Sequence, residues 1–162
     1  MIPHKMLWEN LKLQPPKWLK EHDIPADILN EFYIENNSVS VYEITSSQSN
    51  LDDVQASLAA NRKHLTRFDY MLLDTIIILT RGWQLQKVAG ATHNQFVNQN
   101  YHFDVVNLSG KNIVTFGNQI VKKSTIGSVS PNDIKTKINA CIKNGFISEN
   151  DLEPSLVKAL NS

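Results

Sequence analysis

The chain has 162 residues, 41% of them hydrophobic and 20% charged, with 16 basic and 16 acidic side chains and a single cysteine. That length suits one domain with enough core to fold without staples, and the lone Cys141 excludes an intramolecular disulfide, which fits a reducing compartment. The longest apolar run, YMLLDTIIIL, is interrupted by Asp74 and falls short of the roughly 20 residues that span a bilayer, while MIPHKMLWENLKLQPP at the start holds no secretory apolar core, so a soluble, cytoplasmic protein without membrane association is expected.

Residues 1–35 hold four of the six prolines, Pro3, Pro15, Pro16 and Pro25. They read as an N-terminal arm of short helical pieces joined by extended turns. Trp8, Leu11, Trp18, Leu19, Ile28, Leu29 and Phe32 give that arm an apolar side with which to wrap the remainder, residues 36–162, expected to be a single domain.

SVSVYEIT (38–45) is dense in β-branched and aromatic residues and predicts a strand. The spacing of Leu51, Val54, Leu58 and Leu65 predicts a helix over 51–65, with Asn50 as its N-cap and Arg62 and Lys63 in its negative last turn. FDYMLL (68–73) reads as a second strand. Strand, helix and strand in that order predict a βαβ unit with adjacent parallel strands. DTIIILTRGW is open between a short helix capped by Asp74 and a buried strand, and WQLQKV (83–88) alternates as a strand.

GATHNQFVNQNYHFDVVNLS (90–109) has two readings. As a strand, Tyr101, Phe103 and Val105 face one way. As a helix over 93–108 capped by Thr92, Val97, Tyr101, Val105 and Leu108 form a stripe, and this longer, capped reading is preferred. Ser109 caps the next helix, with Ile113, Phe116, Ile120 and Val121 on its apolar face. STIGSVSP reads as a turn. A helix follows from Asn132 to Lys143, stopped by Asn144-Gly145 in a left-handed cap with Phe146 closing over the last turn. Ser148 opens a final helix to Leu160. The class expected is α+β: a small sheet containing a βαβ unit, then an all-helical C-terminal third ending in an αα-hairpin over 131–160.

Charge is unevenly spread. From Glu21 to Asp53 there are eight acids and no lysine or arginine; from Val54 to Ile147 there are eleven bases against four acids. Such asymmetry marks a partner surface or two segments that neutralise each other in the fold, and the second reading is favoured. Cys141, among apolar helical positions, reads as a buried, inert thiol.

His93, His102 and Asp104 make 90–109 the stretch richest in chemistry. On one straight helix the two histidines would stand about 13 Å apart and rotated from each other, unable to share a metal. With no H-x-x-x-H or C-x-x-C spacing, neither metal nor other cofactor is expected. The catalytic candidates are therefore His102, Asp104 and His93, with Asp74 as a further member of a set assembled by folding. Ser46, Ser47 and Ser49 are anion-binding candidates, since hydroxyls before a helix N-terminus meet free N–H groups. Against them, the loop lacks glycine and is followed by Asp52 and Asp53, so a capping loop is the competing reading.

The C-terminal helices have the order of a helix-turn-helix, but the second would carry Glu149, Asp151 and Glu153 into a groove lined with phosphates. Sequence-specific nucleic-acid binding is not expected. Lys111, Lys122, Lys123, Lys135, Lys137 and Lys143 offer at most a non-specific face for nucleic acid or for an acidic protein. These readings favour a cytosolic, non-catalytic binding or accessory protein that acts through protein–protein contacts, with a partner or with copies of itself. The alternative is a small hydrolase or nuclease-like enzyme using His102 and Asp104 with His93 or Asp74.

Overall fold

Asn36 and Asn37 both adopt positive φ, 51° and 59°, and turn the chain between β1 (Ile34–Glu35) and β2 (Ser38–Tyr42). Ile34 pairs with Val39 and Glu35 with Ser38, antiparallel. A two-residue hairpin loop of this kind needs left-handed residues at both central positions, which asparagine tolerates. The computed structural model describes residues 34–45 and 48–162. The helical arm expected over residues 1–33 lies outside the described residues, and Ile34 and Glu35, read as the end of that arm, belong to the sheet.

The remaining elements are α1 (Gln48–Ala60), β3 (Phe68–Leu72), α2 (Thr75–Thr80), β4 (Gln84–Lys87), α3 (Gln95–Asn100), β5 (His102–Val106), α4 (Gly110–Lys123), β6 (Thr125–Val129), α5 (Pro131–Lys143), a 3-10 turn (Glu149–Asp151) and α6 (Pro154–Asn161). The protein is α+β, as expected. Four strands form one sheet in the order β1-β2-β5-β4, and β3 pairs with β6 in a second. Among the described residues no helix is long and apolar enough to cross a membrane.

The chain divides between two compact units. Among the described residues, one takes 34–40, Asp69–Gln86 and Asp104–Ser128; the other takes those of Val41–Phe68, Lys87–Phe103 and Val129–Ser162. In the first, α4 is capped by Ser109 as its sequence predicts, and it buries Ile113, Phe116, Ile120 and Val121. Phe116 meets Trp83 edge-on, with ring centroids 5.2 Å apart. Burial of one such aromatic ring is worth about 1.5–3 kcal/mol, with a further 0.5–1.5 for the ring pair. Asp74 settles the open reading of 74–81 as helix, because its carboxylate accepts the Ile76 N–H at 2.9 Å and caps α2.

In the second unit α1 lies against α5 and α3. Ala56, Ser57, Ala59 and Ala60 are buried, and their small side chains let neighbouring helices approach closely. From α5 come Ile134, Ile138 and Cys141; from α6, Leu156 and Leu160. Pro131 stands in the first turn of α5, where its missing N–H costs nothing, and Ser130 caps it by accepting the Asp133 N–H.

Several expectations are corrected. The βαβ unit does not form, since β2 and β3 lie in different sheets. The partner of β3 is the segment read as a turn from its glycine and serines. Gly127 leaves the space that the Tyr70 ring occupies, and Ser128 Oγ donates to Asp69 Oδ1 at 2.6 Å. That strand also interrupts the C-terminal third, which is therefore not all-helical. The helix of 51–65 starts earlier, at Gln48, so Asn50 is not its N-cap but reaches back to accept the Thr45 N–H at 2.7 Å. It stops at Ala60, where Asn61 turns away to hold the loop before α3: its Nδ2 donates to Ala91 O and its Oδ1 accepts from His93 N–H. The single helix of 93–108 splits into α3 and β5, with Tyr101 ending the helix and the β-branched and aromatic run beyond it extending as strand. The last helix begins at Pro154 rather than Ser148.

Candidate functional site

His102 sits on β5, buried, with Nδ1 3.2 Å from Val88 O, a bond that requires the proton on Nδ1. The Tyr42 ring meets it edge-on at 5.0 Å, and burial raises the Tyr42 phenol above its ordinary pKa of 10.0. Asp104, two residues further along the strand, points to the same side of β5. Its carboxylate accepts Ser40 Oγ at 2.9 Å and Ser38 Oγ at 3.5 Å. His93 is half-buried in the loop before α3, not on a helix, and its backbone N–H is held by Asn61. Asp74 caps α2. Among the described residues, then, His102 answers to a backbone carbonyl, Asp104 to two hydroxyls and Asp74 to a helix cap, and neither imidazole has a carboxylate to orient it. Nor do three His, Cys, Asp or Glu side chains converge there as a metal site would require. Of the anion candidates, Ser46 and Ser47 lie outside the described residues and Ser49 falls in the first turn of α1.

The organising feature of 90–101 is a clamp of uncharged amide groups, which carry no signal among the ionisable side chains of the sequence. Asn98 Oδ1 accepts both the Thr92 N–H (3.0 Å) and the Thr92 hydroxyl (2.7 Å), while its Nδ2 donates to Thr92 O at 2.7 Å. Gly90 N–H donates to Asn98 O. Asn94 caps α3 by accepting the Val97 N–H at 3.1 Å. Thr92, Asn94 and Asn98 are all buried, and the Asn94 Nδ2 has no hydrogen-bond partner among the described residues. The clamp locks a six-residue helix that would be far too short to hold together alone.

On the outer side of that helix stands an aromatic patch. Phe96 is 44% exposed and Phe146, from the loop after α5, 37% exposed. Their rings stack with centroids 5.7 Å apart and an interplanar angle of 22°, and Tyr101 meets Phe96 edge-on. Phe146 does not close over α5 as expected; its neighbour Ile147 turns inward instead and is buried. The left-handed cap itself is present: Gly145 has φ 74°, and Phe146 N–H donates to Cys141 O at 2.9 Å. In the first unit Ile76 and Leu79, three apart on α2, are exposed as well.

The contrast of acidic and basic segments resolves locally at α1 and α5. Lys137 pairs with Asp52, joining the acidic stretch to the basic one. One helical turn further along α5, Cys141 Sγ donates to Asp53 Oδ1 at 3.6 Å. Burial first, then the charge of Asp53, pushes the Cys141 thiol up to about 12, and burial likewise raises the Asp53 carboxyl above its ordinary value. A thiol so disfavoured as thiolate is a poor nucleophile and metal ligand. No family model, no curated protein and no solved structure matches this chain.

Proposed function

We propose that the protein is a non-catalytic binding module acting through protein–protein contacts, and that its contact surface is the patch of Phe96, Phe146 and Tyr101. The observation that carries this reading is the stacked, exposed phenylalanine pair. Aromatic rings give large contact area with few torsions to freeze, and they dominate the energetics of protein interfaces. Here the ring of Phe96 is presented by a helix whose base is fixed by the buried clamp of Thr92 and Asn98, so little ordering remains to oppose association. The partner is a protein segment with apolar side chains flanked by lysine or arginine. Exposed Glu149, Asp151 and Glu153 follow Phe146 along the chain, which favours such a basic flank and disfavours phosphate.

The test is selection of a displayed random-peptide library on the full chain and, in parallel, on the F96S/F146S double variant. Enrichment of apolar, basic-flanked peptides that bind the parent and not the variant is expected. Peptides that bind both equally, or whose binding tracks acidic residues, would refute the assignment.

A further inference from the structure

Asn144 is the one asparagine in the sequence followed by glycine, and the two residues form the exposed C-terminal cap of α5. We infer that Asn144 is a modification site, where the side-chain amide is lost through attack by the Gly145 backbone nitrogen. Nothing lies within 4 Å of the position a Gly145 Cβ would take, so the space beside the Gly145 Cα is open. Among the described residues the Asn144 side chain has no hydrogen bond to hold its amide away.

The reaction needs only water. The Gly145 nitrogen gives up its proton to solvent and attacks Cγ of Asn144. The N–Cγ bond forms, the Cγ–Nδ2 bond breaks, and the departing amide nitrogen takes up a proton from water to leave as ammonia, closing a succinimide ring. Water then opens the ring at the side-chain carbonyl, giving aspartate, or at the backbone carbonyl, giving isoaspartate; nothing is oxidised or reduced. In the closed cap the same nitrogen donates its hydrogen to Ile142 O at 3.0 Å. Attack therefore waits for the last turn of α5 to open, as helix ends do, and the rate of conversion reports that opening. Either product places a negative charge at the negative end of the helix, where it is disfavoured. Isoaspartate also inserts a methylene into the main chain just ahead of Phe146.

The experiment is incubation of the full chain at neutral and mildly alkaline pH, followed by peptide mapping and isoaspartyl methyltransferase labelling. Conversion is expected at Asn144 ahead of every other asparagine, faster at the higher pH and faster again in sub-denaturing urea. It should disappear in N144Q. G145A, whose methyl group obstructs the attacking nitrogen, should lose most of it, with far-UV circular dichroism confirming that the variant folds. Conversion of Asn37 or Asn161 ahead of Asn144, or a rate at Asn144 unchanged by G145A, overturns the inference. The outcome does not depend on the binding role of the aromatic patch.

Discussion

Replacing Asn98 tests the clamp directly. Asn98→Ala removes the acceptor of the Thr92 N–H and the donor to Thr92 O, both in a buried residue. The Thr92 hydroxyl has a second acceptor within reach, Asn94 O at 3.4 Å, so two groups rather than three are left unpaired. At about 1–3 kcal/mol each, the loss is roughly 2–6 kcal/mol. Asn98→Asp keeps the shape and the accepting oxygen but sets a second oxygen against Thr92 O, where the amide now donates at 2.7 Å. That conflict ends if the new carboxyl takes a proton and donates in turn. The folded state then binds the proton more tightly than the unfolded chain, whose carboxyl titrates near 3.9. The variant is accordingly weakest above its folded pKa and regains stability as the pH falls through that value toward the unfolded one. Urea unfolding followed by far-UV circular dichroism, at neutral and mildly acidic pH, reads both effects. A loss under about 1 kcal/mol for Asn98→Ala, where a net hydrogen bond alone would account for the change, would falsify the clamp. So would a deficit for Asn98→Asp that does not change with pH.

Gly90→Ala should destabilise by about 1–3 kcal/mol in the same assay, because its Cβ would stand 2.7 Å from Asn98 Oδ1 and 3.2 Å from the Asn98 Cα; a neutral outcome would show that the loop gives way freely. Phe146→Ala should cost well under the roughly 3–5 kcal/mol of a buried phenylalanine, whereas Ile147→Ala should cost about 2–5, since Phe146 is exposed and Ile147 is 2% exposed. The reverse order would mean that Phe146 belongs to the core. Because the Cys141 thiol is raised from 9.0 to about 12, its contribution to stability is whole below 9.0 and is lost as the pH rises toward 12. A Cys141→Ala variant should show a shallower alkaline loss of stability than the parent, and an unchanged alkaline slope would count against that cause.

Elements that carry their own signal were legible from sequence. Ser109 with the stripe from Ile113 to Val121 is a complete local statement of α4, and Asn144-Gly145 states the end of α5, because caps and periodicity depend on residues within a few positions. Strand adjacency is not local. A strand, a helix and a strand in succession satisfy βαβ and also satisfy two separate sheets; the decision lay with Gly127 and Ser128, far along the chain and phrased like a turn. Residues 93–108 misled because Val97, Tyr101 and Val105 keep helical spacing by coincidence, while β5 needs only five of those residues. The hairpin at Asn36-Asn37 was hidden by a β1 of two residues attached to a helix-like run. For the site, attention to histidine and aspartate led to groups tied up in structure, and the amides of Asn94 and Asn98 were the informative side chains. Phe96 could have been found: it falls off the Val97–Tyr101 stripe, which leaves it no place in the core.

The pairing of β3 with β6 bears on when this protein opens rather than on what it contacts. A ribbon of two strands has no central strand, and such a pair is marginal in water by itself. What supports this one is lateral: the Tyr70 ring laid over Gly127 and the hydroxyl of Ser128 on Asp69. Amide protons of residues 69–72 and 125–128 should then exchange with solvent together, as one cooperative patch, and sooner than those of α4, which connects β5 to β6 and is anchored by Phe116 under Trp83. Shaving the ring to Tyr70→Ala should accelerate that exchange throughout the ribbon while leaving α4 slow, so that a single side chain sets the breathing rate of a whole pair of strands.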